Sequence, residues 1–453
     1  MSVQYSLRTL KPTPKTMSAW RLRPSPKYAS FGVVRTVPPE ETIRRVTPLM
    51  PVIGVTRVAD VTRLDRVGIP NYVAVRPRDV GDGITYYNGK GTTRIAAKAG
   101  AMMEAIERYS GERCDLEVFR GTYKAVRRRG PALDPEELIA PRFREYTDAT
   151  RLEWVEGFDL NSQRPTYVPL NSVVQPYESA DFPPLYYAST NGLASGNTIE
   201  EALCHALCEV IERDTESISS TILDLAPAVT SMLSRIGAES ASRPDGEDTR
   251  FPLIDLASLP PKAKQLARKM RAAGLRVYLR DITHTGGVPT LECTVVEDQL
   301  DGRHLAHGGC GTHPDARVAL MRALTEAAQS RVGCIQGGRE DLPEIMKRRV
   351  SFNPDAVFGA GVVRPFSSIR TFEHGRVDED VRFLLGRLKA AGLDRVVAVD
   401  LTRPELGVPV VKVVVPKAES WSIFQSHVDR GMFGPRVTRI LGELRFSGPA
   451  LKP

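Results

Sequence analysis

The chain has 453 residues, 42% of them hydrophobic and 26% charged, enough to bury a large core in one extended domain or in two to three joined ones. No uncharged apolar run reaches the roughly 18 residues of a transmembrane helix, and MSVQYSLRTLKPTPKT has no apolar stretch before a cleavage site, so a cytoplasmic protein with no membrane partner is expected. The formal net charge of +8 is interspersed, not blocked, which favours nucleotide or an acidic protein partner over nucleic acid. Six cysteines (Cys114, Cys204, Cys208, Cys293, Cys310, Cys334) form no CxxC pair, which argues against structural zinc and against a disulfide framework.

Residues 1–32 are rich in Pro, Lys and Ser and read as an N-terminal extension with at most one strand; a single domain is expected over 33–420, and a tail over 421–453. In the domain, the polar stretch from Gly237 to Arg250 reads as a surface loop. Pro260 and Pro261 open a basic helix over Lys262–Ala273, followed by the strand-like LRVYLRDIT and PTLECTVVED. A later unit repeats the plan, with a helix over Val381–Ala391 before RVVAVDLT and PVVKVVVP, and Gly274 and Gly392 terminate the two helices. Helices alternating with β-branched runs predict a mixed α/β (α+β) architecture.

Three helices carry the chemistry. The first, Arg94–Ser110, places Ile95, Ala99, Met102, Met103 and Ile106 on a core side and Ala97, Gly100, Glu104, Glu107 and Arg108 on the other. The second, Glu200–Ser217, follows the loop NGLASGNT. It buries Leu203, Ala206, Leu207, Val210 and Ile211 and stacks Glu201, His205, Cys208, Glu209 and Glu212 opposite them. Both spell Glu-x-Ile-Glu-Arg, and two such helices face to face bring together four carboxylates that need cations; hard oxygen ligands suit Mg²⁺. The third, Asp315–Gln329, has its N-cap at Asp315, buries Leu320, Ala323, Leu324 and Ala327, and leaves Arg322, Glu326 and Gln329 outside. Arg331 projects onto the apolar side if that helix continues, or turns outward just past its end. For a single helix, Glu and Arg three or four apart make ordinary surface ion pairs; the identical spelling on two helices, with small residues beside it, points to a site. Cys204 and Cys208, four apart, read as packing.

Gly89-Lys90-Gly91-Thr92 imitates a phosphate loop, but its distance from Gly83 is one residue too long and Lys90 is followed by Gly, so it is not a Walker A motif. A nucleotide site here has to be built from carboxylate-held metal and scattered basic residues, Lys90 among them.

NGKGTTRIAAKAGAMMEAIERYSGE, NGLASGNTIEEALCHALCEVIERD and HPDARVALMRALTEAAQSRV resemble the three signature blocks of the YcaO family, and the resemblance runs from about Val33 to Pro416. It implies the YcaO-like fold, with glutamate-bearing helices packed on mixed sheets around ATP and Mg²⁺. The metal ligands it implies are Glu104, Glu107, Glu209 and Glu212. The nucleotide contacts it implies include Arg108, Arg213, Asn191, Glu201, His205, Glu326, Gln329 and Arg331, with Arg35 and Thr42 at the spacing of a phosphate-touching Lys-and-Ser pair. By the same resemblance, Gly100 stands where many members have Ser, Ala194 where some have Ser, and His205 where other members have Gln or Glu.

The chemistry implied is transfer of the γ-phosphoryl group of ATP to a backbone amide oxygen, followed by displacement, with no enzyme nucleophile. The chain has no fused E1-like domain with paired CxxC motifs and no Pro-x-Pro-x-Pro tail. DVTRLDRVGIP and DLTRPELGVPVVKVVVP resemble the TfuA-associated members of methanogens. For those the implied acceptor is a glycine of the methyl-coenzyme M reductase alpha subunit, the nucleophile is sulfide, the product is thioglycine, the partner is TfuA and the usual state is a homodimer. An azoline- or amidine-forming enzyme and a non-catalytic ATP-binding scaffold stay open as alternatives.

Overall fold

The computed structural model describes residues 20–30, 33–77, 84–112, 116–235, 239–240, 250–300, 302–337, 354–358, 361–423, 433–444 and 446–447; Gly83, Cys114 and most of the Gly237–Arg250 loop lie outside them. Its α-helices in chain order are α1 (Pro39–Val46), α2 (Arg94–Gly111), α3 (Tyr123–Arg127), α4 (Ile199–Ser220), α5 (Ala226–Arg235), α6 (Pro261–Ala272), α7 (Ala316–Gln336), α8 (Pro354–Phe358), α9 (Val377–Ala390) and α10 (Pro435–Gly442).

Each signature helix starts where a short polar side chain satisfies a free N–H: Thr93 accepts from Ala96, Thr198 from Glu201 and Asp315 from Arg317. The third runs seven residues beyond the expected end, to a left-handed Gly337 at φ 63°. Gly274 and Gly392 take positive φ just past α6 and α9, as expected of terminating glycines.

Three sheets organise the helices. The largest orders the strands Val118–Thr122, Arg151–Asp159, Val397–Asp400, Val410–Val414 and Leu193–Ser195, with Arg164–Pro169 also paired to Arg151–Asp159. Strand Val410–Val414 is buried throughout because both faces are covered: Val410 and Val414 pack with α2, while Val411 and Val413 pack with α4 and α9. That explains an apolar run without alternation, broken by Lys412. A second sheet orders His304–Thr312, Thr290–Asp298, Arg276–Asp281, Leu253–Ile254 and Val363–Arg364, with α6 and α7 packed on it. The third, Arg57–Asp60, Asn71–Val75 and Tyr86–Lys90, lies against α2.

The core faces expected of α4 and α7 are fully buried. On α2, Met102 and Ile106 are buried, but Ile95, in the first turn, is exposed. Described residues near both ends pack on this body. Trp20 stacks on Phe158 with ring centroids 6.1 Å apart, and α10 buries Val437 beside Ile218 and Trp421. No described helix is long and apolar enough to cross a membrane.

Candidate nucleotide and metal site

The glycines of the phosphate-loop imitation have a packing purpose. A Cβ on Gly89 would lie 2.1 Å from Ala101 N and from Ala97 O, so only glycine lets α2 press on the strand backbone. Lys90 is thereby delivered to the opposite helix, where its ammonium pairs with Glu326 of α7.

Glu104 and Glu107 of α2 and Glu209 and Glu212 of α4 line one cavity of about 670 Å³, together with Arg35, Thr42, Lys90, Arg108, Glu201, His205, Arg213, Glu326 and Gln329. Burial pushes Glu107 well above the usual carboxylate range, reinforced by Glu104 and Glu209, although Ser195 opposes this by donating its N–H (2.7 Å) and Oγ–H (3.2 Å) to it. Burial likewise raises Glu209, against the pull of Arg213 and Lys412. Glu212 is held at about 7 by burial and by Glu326, against Arg322, Arg213 and Lys90. Glu326 shows the opposite balance: burial would raise it, but Lys90 and Arg213 overrule that and hold it at about 2.

Three of the four are therefore incompletely compensated, and Glu212 Oε2 is buried with no hydrogen-bond partner. Oxygen ligands of this kind, converging and under-compensated, fit a hard divalent cation.

The rim is tied together by Glu201. It accepts from Thr36 N at 3.0 Å, Thr36 Oγ1 at 2.8 Å and Asn197 Nδ2 at 3.0 Å, and pairs with Arg35 Nε at 3.3 Å. Thr42 Oγ1 donates to Asn197 Oδ1 at 3.0 Å. His205 is kept neutral by burial and by Arg322, Arg35 and Lys90, and its Nε2 lies 3.4 Å from an Arg322 guanidinium nitrogen.

Two expected contacts are placed elsewhere. Asn191 is outside the wall, its carbonyl accepting from Lys412 Nζ at 2.7 Å, and Asn197 occupies the cavity instead. Arg331 stays on α7 because the helix continues. Nine residues beyond Arg322 it is half a turn out of phase, so it faces away and pairs with Asp65 at 3.1 Å and Glu297 at 2.7 Å. Gln329 lines the cavity, but its Nε2 is committed to Asn88 O at 2.9 Å.

Ser195, Asn197, Arg322 and Lys412 received no role from the sequence. Arg322 shares its face with Glu326 and Gln329, and Lys412 is a charge inside an apolar run; both were readable signals. Lys412 Nζ donates to Ser189 O at 2.6 Å, and burial depresses its pKa to about 8.

Cys204, His313 and Asp380 also converge, their ligand atoms within 4.8 Å of one another. His313 Nδ1 accepts the Asp315 N–H at 2.9 Å, which puts the ring proton on Nε2, and Lys27 Nζ already sits 2.6 Å from Asp380. A protonated nitrogen and a neutralised carboxylate make a charge-balanced core, not a ready ligand set.

A sequence profile of the family described as YcaO cyclodehydratase, ATP and Mg²⁺ binding, matches residues 88–419. The chain belongs to the YcaO family. Its cofactors are ATP and Mg²⁺, as that description states. An uncharacterized protein of Methanothermobacter thermautotrophicus is 36% identical over 87% of this chain and 98% of its own length. Another, from the tfuA 3′ region of Rhizobium leguminosarum bv. trifolii, is 31% identical over 87% of this chain and 91% of its own. YcaO from Methanopyrus kandleri, solved with AMPPCP and Mg²⁺, superposes with a TM-score of 0.66 at 27% identity, covering 89% of this chain and 98% of that one. A heterocyclase solved with substrate and cofactor shares the fold, with a TM-score of 0.73 at 21% identity over 93% of this chain; the match spans 57% of that longer chain.

Proposed function

We propose that this YcaO protein phosphorylates a backbone amide oxygen with ATP and that external sulfide then replaces it, leaving a thioamide. The acceptor in this reading is a glycine of the methyl-coenzyme M reductase alpha subunit. The catalytic unit is residues 33–420, acting in the cytoplasm as a homodimer with TfuA as partner.

The amide oxygen attacks the γ-phosphorus, the bond to ADP breaks and the amide gives up its N–H proton. Hydrosulfide adds to the carbon, and phosphate leaves with the former amide oxygen. Glu104, Glu107, Glu209 and Glu212 would hold Mg²⁺, which neutralises charge on the phosphate oxygens. Lys90, Arg108, Arg213 and Arg322 orient the phosphates, while Arg35, Thr42, Asn197 and Glu201 form the rim.

The observation that carries this reading is a cavity with four convergent carboxylates, three of them raised by burial, and no activated nucleophile of its own among the described residues. Cys204, a free thiol in the wall, is pushed well above its ordinary range by its hydrogen bond with Cys208 and by burial. An attacking group therefore has to come from outside. The relative from a tfuA 3′ region supports the TfuA-associated reading, for which the resemblance implies sulfide as that group.

The test is incubation with ATP, Mg²⁺, sulfide and a peptide containing the reductase glycine, with TfuA added. Mass spectrometry should show one oxygen exchanged for sulfur. Loss of water from a Cys- or Ser-containing peptide, with no sulfur gained on the glycine peptide, would instead assign azoline formation.

A further inference from the structure

Strand His304–Thr312 is the outermost strand of the five-stranded sheet and pairs on one side only, with Thr290–Asp298. Its second half is packed against α7, because Gly309 and Gly311 bring the strand to that helix's backbone. Its first half is not. Ala306 and Gly308 are exposed, and a Cβ on Gly308 would meet nothing within 4 Å. Among the described residues, no hydrogen bond reaches the outward-facing N–H and C=O groups of His304–Gly308. An unblunted edge of this kind is a template for another extended chain.

Its position gives it an occupant. Ala306, His307 and Gly308 line the same cavity as the carboxylate quartet. Tyr86–Lys90, also an edge strand on that cavity, is closed off where Gln329 bonds Asn88 O. A substrate whose reacting group is a main-chain amide, and whose residue is a glycine, offers no side chain for selection. Main-chain pairing in fixed register is the way to hold one amide and exclude its neighbours.

We propose that the acceptor polypeptide docks in extended conformation as an added strand along His304–Gly308, which feeds its target amide into the carboxylate-lined cavity. This rests on the reading above that the acceptor is a polypeptide backbone amide.

The test is a binding measurement. A fluorescently labelled peptide containing the reductase glycine is titrated with full-length protein loaded with Mg²⁺ and a non-hydrolysable ATP analogue, and single backbone nitrogens are N-methylated in turn. Affinity should fall about threefold to tenfold at every second position and stay unchanged between them, one net hydrogen bond at a time. Uniform losses, or none, would overturn the proposal.

Ala306→Pro and His307→Pro form a paired check, since successive N–H groups point to opposite edges. One variant should lose thermal stability; the other should keep it and bind the peptide at least tenfold more weakly. Wild-type peptide affinity in both, or a changed oligomeric state that gives the edge to a second copy, would overturn the docking. If both variants fail to fold, the N-methyl scan decides. A peptide that binds with alternation but gains no sulfur keeps the docking and sinks the thioamide reading; sulfur gain without alternation does the reverse.

Discussion

Two helix-on-strand pairs line the cavity beside α4, α2 on Tyr86–Lys90 and α7 on His304–Thr312, and they put one packing device to different ends. In both, glycines on an edge strand let the helix come to backbone contact: Gly89 under Ala97 and Ala101, Gly309 and Gly311 under Ala319, Ala323 and Ala327. The first strand then spends its polar groups inside the protein, Lys90 on Glu326 and Asn88 O on Gln329. The second leaves its first five residues without an outer partner among the described residues. Close backbone packing fixes where each strand runs. The next polar contact decides whether its edge is structural or available.

The largest effect separates buried from open glycine. At Gly89 the obstacles to a Cβ are backbone atoms of α2, which cannot yield like the tip of a side chain. Gly89→Ala should therefore cost more than the ~1–3 kcal/mol typical of overpacking and leave little folded protein. Gly308→Ala, with open space around it, should stay within about 0.5 kcal/mol of wild type. Thermal melting of the two variants side by side checks this; equal melting temperatures would break the comparison at its base.

Next comes the far face of α7. Arg331→Met leaves Asp65 and Glu297 without their shared buried cation, a loss of about 3–5 kcal/mol for breaking a buried pair. Affinity for the Mg²⁺-loaded ATP analogue should not change, because Arg331 faces away from the cavity. A variant of normal stability that binds nucleotide weakly would return Arg331 to the nucleotide site.

Much of this was legible in the sequence. The three signature helices, the core stripes of α4 and α7, most of that of α2 (Ile95 is exposed and Met103 lines the cavity) and the convergence of Glu104, Glu107, Glu209 and Glu212 follow from period and spelling, because an amphipathic helix writes its burial every three to four residues. Arg331 was harder: its direction depends on where α7 ends, and boundaries are set by capping, here at Gly337, more than by pattern. Asn191 and Asn197 lie in one loop, and a loop has no period from which to tell which asparagine faces inward. The open edge of His304–Thr312 was not readable at all, since which strand lies outermost is a property of the assembled sheet.

The charge shortage around α4 gives a pH prediction. Glu212 has a folded-state pKa of about 7, above its ordinary 4.5, so its protonated form is the one the fold favours. Its contribution is complete below about pH 4.5 and is lost as pH rises through about 7, a change on the order of 3 kcal/mol in the metal-free protein. Glu326, held low, contributes in the opposite sense and only well below that window. The melting temperature of metal-free wild type should fall across this range, and Glu212→Gln should make the slope shallower by Glu212's share, leaving the part that the likewise raised Glu107, Glu209 and Glu292 contribute. Adding Mg²⁺ with the ATP analogue should also make it shallower, since a cation favours the ionised form of the cavity carboxylates. A wild-type slope that matches Glu212→Gln would show that Glu212 is ionised without metal.

The smallest effect bears most directly on why one edge is closed and the other open. Gln329 lines the cavity, yet its carboxamide nitrogen bonds the Asn88 carbonyl 2.9 Å away, across the gap between α7 and Tyr86–Lys90. If that bond is its purpose, Gln329→Ala removes one net hydrogen bond, about 1 kcal/mol, and frees a carbonyl to water, leaving affinity for the ATP analogue within about twofold. If Gln329 were chiefly a nucleotide contact, the balance would reverse, with melting unchanged and affinity down by about tenfold for a bond of that size. Calorimetric melting and titration of the same variant separate the two. Faster amide exchange along Tyr86–Lys90, with none gained along His304–Gly308, would confirm that this one side chain distinguishes the sealed edge from the open one.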